Sequence, residues 1–72
     1  MSIVKVIEVL SEGNTIEAAM QSAVSEAAQT LHNIKQINVE HVEGLVEGQK
    51  ITKYRINSKI SFLIDRENHQ AK

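Results

Sequence analysis

The spacing of hydrophobic residues along this chain changes period twice, and each change marks an element. From Thr15 to His32 (TIEAAMQSAVSEAAQTLH) the apolar residues Ile16, Ala19, Met20, Ala23, Val24, Ala27 and Leu31 recur at steps of three and four. That is the spacing of one stripe along an α-helix. Glu17, Gln21, Ser22, Ser25, Glu26 and Gln29 fall on the opposite face. Asn14 or Thr15 is placed to cap the first free N–H groups, and Glu17 follows Asn14 at capping-box distance. The pattern predicts a one-sided helix of about 18 residues, about 27 Å long at roughly 1.5 Å per residue. Its stripe is mostly alanine, so the helix is expected to lie close to a sheet formed by the flanking segments.

Those flanks carry strand signals. Ile3 to Leu10 is rich in β-branched residues, with Lys5 and Glu8 interrupting it, as in a strand partly covered on both faces. Ser11 to Asn14, with Gly13, predicts a short turn into the helix. Asn33 ends the helix as a residue that tolerates the left-handed conformation. A second strand is expected over Lys35 to Val42, with Ile37, Val39 and His41 on one face and Gln36, Asn38 and Glu40 on the other. Gly44 to Gln49 reads as the connection. Thereafter Thr52, Tyr54, Ile56, Ser58, Ile60, Phe62 and Ile64 alternate with Lys53, Arg55, Asn57, Lys59, Ser61, Leu63 and Asp65.

A period of two sustained over that stretch predicts a ribbon of about 45 Å at roughly 3.4 Å per residue. It outreaches the helix that would cover it. The overhang leaves an apolar face and an unpaired edge, which soluble proteins usually cover with another subunit. The order is therefore β-α-β-β. A right-handed crossover makes the first two strands parallel and leaves room between them for the long third, antiparallel to both. The expected fold is α+β, a three-stranded antiparallel sheet curled around one helix. Residues 1–72 form one expected domain, with an ordered core over about 3–65 and a polar tail, RENHQAK, over 66–72 that is expected to fray.

Composition narrows the physics. A chain of 72 residues buries only about 60% of its unfolded surface when it folds alone. Cysteine is absent, so neither disulfides nor thiolate metal sites compensate, and oligomerisation is the expected route to stability. Eight basic and nine acidic residues leave a net charge of −1, which argues against a nucleic-acid partner. No apolar run is long enough to span a membrane. The apolar N-terminal stretch lacks a signal-peptide cleavage pattern, and the cytoplasm is the expected compartment.

On this layout the chain resembles the dodecins, small β-α-β-β proteins that assemble as hollow homododecamers. The resemblance covers roughly Ile3 to Asp65 and rests on VIEVLSEGNTIEAAMQSAVSEAAQTL, IKQINVEHVEG and YRINSKISF in that order and spacing. It implies a shell whose default ligand is a flavin, FMN or riboflavin. In flavin-binding members a tryptophan near the start of the second strand stacks on the isoalloxazine ring, and a glutamine on the long strand hydrogen-bonds it. This chain carries Gln36 and Arg55 at those two positions. Gln36 has no aromatic face, and Arg55 has donors only, unlike a glutamine amide. Glu43 stands where some relatives carry an arginine suited to phosphate. YRI resembles the minority of dodecins described as binding calcium.

Other residues have plainer readings. Gln36 and Arg55 themselves also read as a hydrogen-bonded or surface pair in place of a ligand site. Glu40, Glu43 and Glu47 are candidate oxygen ligands for a hard cation such as Ca²⁺, but they lack EF-hand spacing and read more simply as a solvated acidic edge. His41 reads as a half-buried histidine, and Tyr54 and Phe62 as core or interface anchors. No nucleophile motif, His–carboxylate spacing or glycine-rich phosphate loop is present, so no enzyme is expected. The expected partners are further copies of the chain and a small ligand or ion. A shell that has kept its assembly and lost its ligand is the remaining class.

Overall fold

The computed structural model describes residues 2–65. The tail expected at 66–72 lies outside the described residues. Strand β1 (Ser2–Gly13), helix α1 (Ile16–Ala27), strand β2 (Ile34–Glu47) and strand β3 (Lys50–Asp65) follow in the expected order. The sheet order is β1-β3-β2, with β3 antiparallel to both neighbours. The long alternating strand thus fills the gap that the crossover leaves.

Helix α1 is shorter than its periodicity predicts, 12 residues or about 18 Å. Thr15 is its N-cap, and its Oγ1 accepts from the Ala18 N–H at 3.0 Å. The cap excludes the box from Asn14 to Glu17. At the other end the Thr30 and Leu31 N–H groups both bond to the Ala27 carbonyl, at 3.2 and 2.9 Å. This tightened turn brings Leu31 down beside Ala27 and Ile34 in the core. Asn33 does adopt a left-handed conformation, φ 61°, but as the entry to β2. Its carbonyl accepts from the Leu63 N–H at 3.1 Å. Pairing with β3 therefore ends the helical segment before its local preference does.

The strands are longer than expected, because pairing recruits residues that read locally as turn. Ser11, Glu12 and Gly13 lie in β1 and pair with Ile56, Arg55 and Tyr54. Gly13 allows the close approach there, since a Cβ would sit 2.6 Å from the Ala19 backbone nitrogen. Ser11 Oγ ties the same junction by donating to the Ala19 carbonyl at 2.7 Å. The connection expected over 44–49 contracts to Gly48 and Gln49, both at positive φ (57° and 70°). That is the two-residue hairpin geometry whose twist matches the strands it joins.

Register shifts in β2 decide which side chains face the helix. A shift between Ile34 and Gln36 lets Ile34 and Ile37 lie opposite Phe62 and Ile60, on one face despite their odd spacing. A second shift between Val39 and His41 leaves Glu40 as the extra residue and places His41 opposite Asn57. His41 therefore leaves the apolar face and is exposed, contrary to the simple alternation. An unpaired inserted residue inverts the in/out pattern beyond it.

Ala19, Ala23 and Ala27 are buried along one line of the helix, over a floor containing Ile56, Ser58 and Ile60 of β3. Ile7, Val9, Leu31, Ile34 and Ile37 pack around Ala23, Ala27 and Ile60. The Ser58 hydroxyl is fully buried without a hydrogen-bond partner. A leucine in place of Ala23, which is only 1% exposed, overpacks this contact. Ala23→Leu is expected to destabilise by about 1–3 kcal/mol. Denaturant unfolding checks it, and an unchanged midpoint would show slack between helix and sheet.

Candidate functional site

The face of the sheet turned away from α1 carries the chemistry. Alternation along β3 places Lys53, Arg55, Asn57, Lys59 and Ser61 there. The register then aligns two rows across all three strands, Leu10–Asn57–His41 and Glu12–Arg55–Glu43.

Arg55 is the hub of the charged row. Its Nε donates to Glu12 Oε2 at 3.0 Å, its Nη2 lies 2.9 Å from the same oxygen, and its Nη1 lies 3.7 Å from Glu43 Oε1. Lys53 Nζ stands 3.8 Å from Glu12 Oε1. Two cations and two carboxylates thus cancel within one patch. All four side chains are more than a third exposed, so water screens the pairs and each contributes modestly. The row holds its side chains in fixed directions more than it holds the sheet together.

Beside it the second row walls a cavity of about 130 Å³ lined by Leu10, His41, Glu43, Arg55 and Asn57. Drug-sized ligands occupy pockets of about 300 Å³ and more, so one chain encloses only a small molecule or part of a larger one. Asn57 Oδ1 is buried and has no hydrogen-bond partner. Such an acceptor costs about 1–3 kcal/mol until something donates to it. A separate apolar groove of about 250 Å³ runs between the helix and β2, past Glu17, Met20, Gln21, Val24 and Ile37.

Gln36 and Arg55, the two expected contact positions, share this face but do not meet. Gln36 is exposed beside Ser61, six residues along β3 from Arg55, or about 20 Å at roughly 3.3 Å per residue. Within one chain they form no pair with each other; Arg55 pairs with Glu12 and Glu43 instead. The acidic residues are also dispersed. Glu40 accepts from the Asn38 side chain at 2.5 Å, Glu43 faces Arg55, and Glu47 lies at the hairpin opposite Lys50. Among the described residues no three His, Cys, Asp or Glu side chains are grouped to hold a metal ion. Sequence reasoning missed Glu12 and Asn57. Glu12 reads locally as turn, whereas Asn57 was detectable as the next residue on Arg55's side of the alternation.

The dodecin family model matches residues 3–65. The chain belongs to the dodecin family. Solved dodecins share its fold. A tryptophan-to-phenylalanine variant of the Thermus thermophilus dodecin superposes with a TM-score of 0.83 at 21% identity, covering 90% of this chain and 98% of that one. The Streptomyces davaonensis dodecin gives 0.81 at 23% identity over 89% and 96% of the two chains. The Streptomyces coelicolor dodecin gives 0.82 at 25% over 89% and 93%. No curated protein sequence matches the chain. Among the described residues no helix is long and apolar enough to cross a membrane.

The charged row makes a prediction of its own. Glu12→Gln removes the carboxylate shared by Arg55 and Lys53, and is expected to cost under about 1 kcal/mol in low salt, shrinking as ionic strength rises. Unfolding midpoints at two salt concentrations measure this. A large, salt-independent loss would mean that the row is buried in the assembled protein.

Proposed function

We propose that this chain is a single dodecin-like domain that assembles as a homododecameric hollow shell, binds and stores or sequesters a small ligand, and performs no catalysis. Family membership over residues 3–65 supports self-assembly and ligand binding. One structural observation supports assembly directly. Beyond the β1 partners of Gly13 and Tyr54, the β2–β3 hairpin continues as a two-stranded ribbon with Val46 and Ile51 64% and 56% exposed. An isolated apolar ribbon of this kind is marginal in water. A neighbouring copy is the cover that makes it stable.

The ligand departs from the family default in this reading. The shell holds flavin weakly or not at all, because Gln36 offers no ring to stack on and Arg55 is engaged by Glu12 and Glu43. A calcium-binding shell is the second reading, and it requires carboxylates gathered from several copies, given their dispersal within one chain. The proposed compartment is the cytoplasm.

Native mass spectrometry tests assembly and bound mass together. Ile51→Asp is expected to dissociate the oligomer to folded subunits of about 8 kDa, because burying an unpaired carboxylate costs several kcal/mol. A stable monomer of the unaltered protein at micromolar concentration would overturn the assembly reading. Ile60 cannot serve the same purpose. It is fully buried in the chain's own core and reports on folding.

Flavin titration followed by fluorescence quenching tests the ligand reading. Losing a stacking contact and a bidentate hydrogen bond is expected to weaken binding by roughly 2–4 kcal/mol, about thirty- to a thousandfold. Gln36→Trp combined with Arg55→Gln is expected to restore it. Submicromolar affinity of the unaltered protein for FMN would show that other residues recognise the ring.

A further inference from the structure

The sheet narrows from three strands to two at a single row, and that row is poorly held. Gly13 of β1 and Gly44 of β2 flank Tyr54 of β3. Cross-strand side-chain pairs are what stiffen neighbouring strands, and Tyr54 faces a residue without a side chain on either side. Beyond it only β2 and β3 continue, as far as the turn at Gly48 and Gln49. A register shift between Leu45 and Val46 interrupts their pairing once more. Glycine inside a strand often marks a bend, and here two of them share one row. The apolar surface of the ribbon starts at this row, since Ile51 lies over Gly44, its Cδ1 3.4 Å from where a Cβ would stand. Turning the row turns the surface with it.

The next row inward carries the charges. Arg55 stands between Glu12 of β1 and Glu43 of β2. Its Nη2 lies 2.9 Å from Glu12 Oε2 and its Nη1 3.7 Å from Glu43 Oε1. Glu12 also reaches outward, with Oε1 3.8 Å from Nζ of Lys53, the ribbon residue next to Tyr54. One carboxylate at the end of an edge strand thus grips β3 on both sides of the glycine row, once in the three-stranded body and once on the ribbon. Such a tie resists rotation about Tyr54. Each pair is exposed and weak, but biasing the angle of a two-stranded ribbon takes less than holding a fold. Salt screens pairs of this kind.

We propose that Glu12, with Arg55, Glu43 and Lys53, forms a salt-sensitive brace across a glycine-flanked hinge, which sets the angle of the ribbon and through it the strength of self-association. The proposal rests on the reading of the ribbon as a surface that a second copy covers. It makes association weaken as ionic strength rises, whereas apolar covering alone has no charge for salt to screen.

Sedimentation of the full-length protein over a dilution series at roughly 0.05 and 0.5 M sodium chloride tests this. The association midpoint is expected to rise at least about threefold at the higher salt. Glu12→Gln is expected to raise it by a similar factor at the lower salt and to remove most of the salt dependence. Lys53→Gln, which leaves both Arg55 pairs in place, is expected to shift it less and in the same direction. A second measurement reads the hinge itself, and it stands alone should dilution not dissociate the oligomer. Tyr54 is the one tyrosine of a chain without tryptophan, so near-ultraviolet circular dichroism reports on its row. In Ile51→Asp subunits this spectrum is expected to change with salt, and Glu12→Gln in the same background is expected to abolish the change. A midpoint that neither salt nor Glu12→Gln moves would overturn the proposal. A Tyr54 spectrum indifferent to salt in the dissociated subunit would overturn it as well. A stable monomer of the unaltered protein whose Tyr54 spectrum responds to salt through Glu12 would refute the assembly reading and leave the hinge standing.

Discussion

One short helix has to cover a sheet much longer than itself. Helix α1 has 12 residues and β3 has 16, and the rise per residue is more than twice as great in a strand as in a helix. The helix therefore covers about a third of the strand's length, and the molecule measures 57 × 19 × 13 Å. Everything distinctive about the chain follows from this mismatch. The covered third holds the alanine line, Ile56, Ser58 and Ile60; on the ribbon beyond it Val46 and Ile51 are exposed.

The alanines are what make the covered part work. Small side chains on the helix let it approach the sheet closely, and Gly13 removes the one Cβ that would collide with the helix start. Close approach compensates for the few large side chains in the core, since dispersion depends on contact distance more than on residue size. It also limits how much apolar surface one subunit can bury. Five hydrophobic residues are buried among those described, three of them alanines, a small core for a chain of this length. Assembly adds the burial that a single subunit lacks, and the exposed ribbon is the surface left for it to cover.

The helix-free face follows a different logic. Its charges are balanced in cross-strand rows, which fixes the direction of Arg55 without generating a strong field. In the proposed reading, the exchange of an aromatic platform for Gln36 and of a neutral amide for Arg55 changes the ligand and leaves the sheet that carries both positions intact. Backbone pairing is indifferent to what the outward side chains are, so the fold tolerates the exchange.

Local pattern determined the element types, their order and the buried stripe, because periods of 3.6 and 2 are written directly in the residues from Ile16 to Ala27 and from Thr52 to Asp65. The crossover rule then sufficed to place β3 between its partners. The ends of elements were not legible. The helix stops at Ala27 and the strands extend into apparent turns, since hydrogen bonds to β3 outweigh weak local preferences. The site was legible only in part. Arg55 stood out by family position, but its partners Glu12 and Glu43 lie 43 and 12 residues away in sequence, and His41 reached the cavity only through a register shift at Glu40. A bulge leaves almost no trace in composition, and it inverts the face of every residue beyond it. Which side chains share a face was therefore a decision of tertiary pairing, made by the strand in the middle.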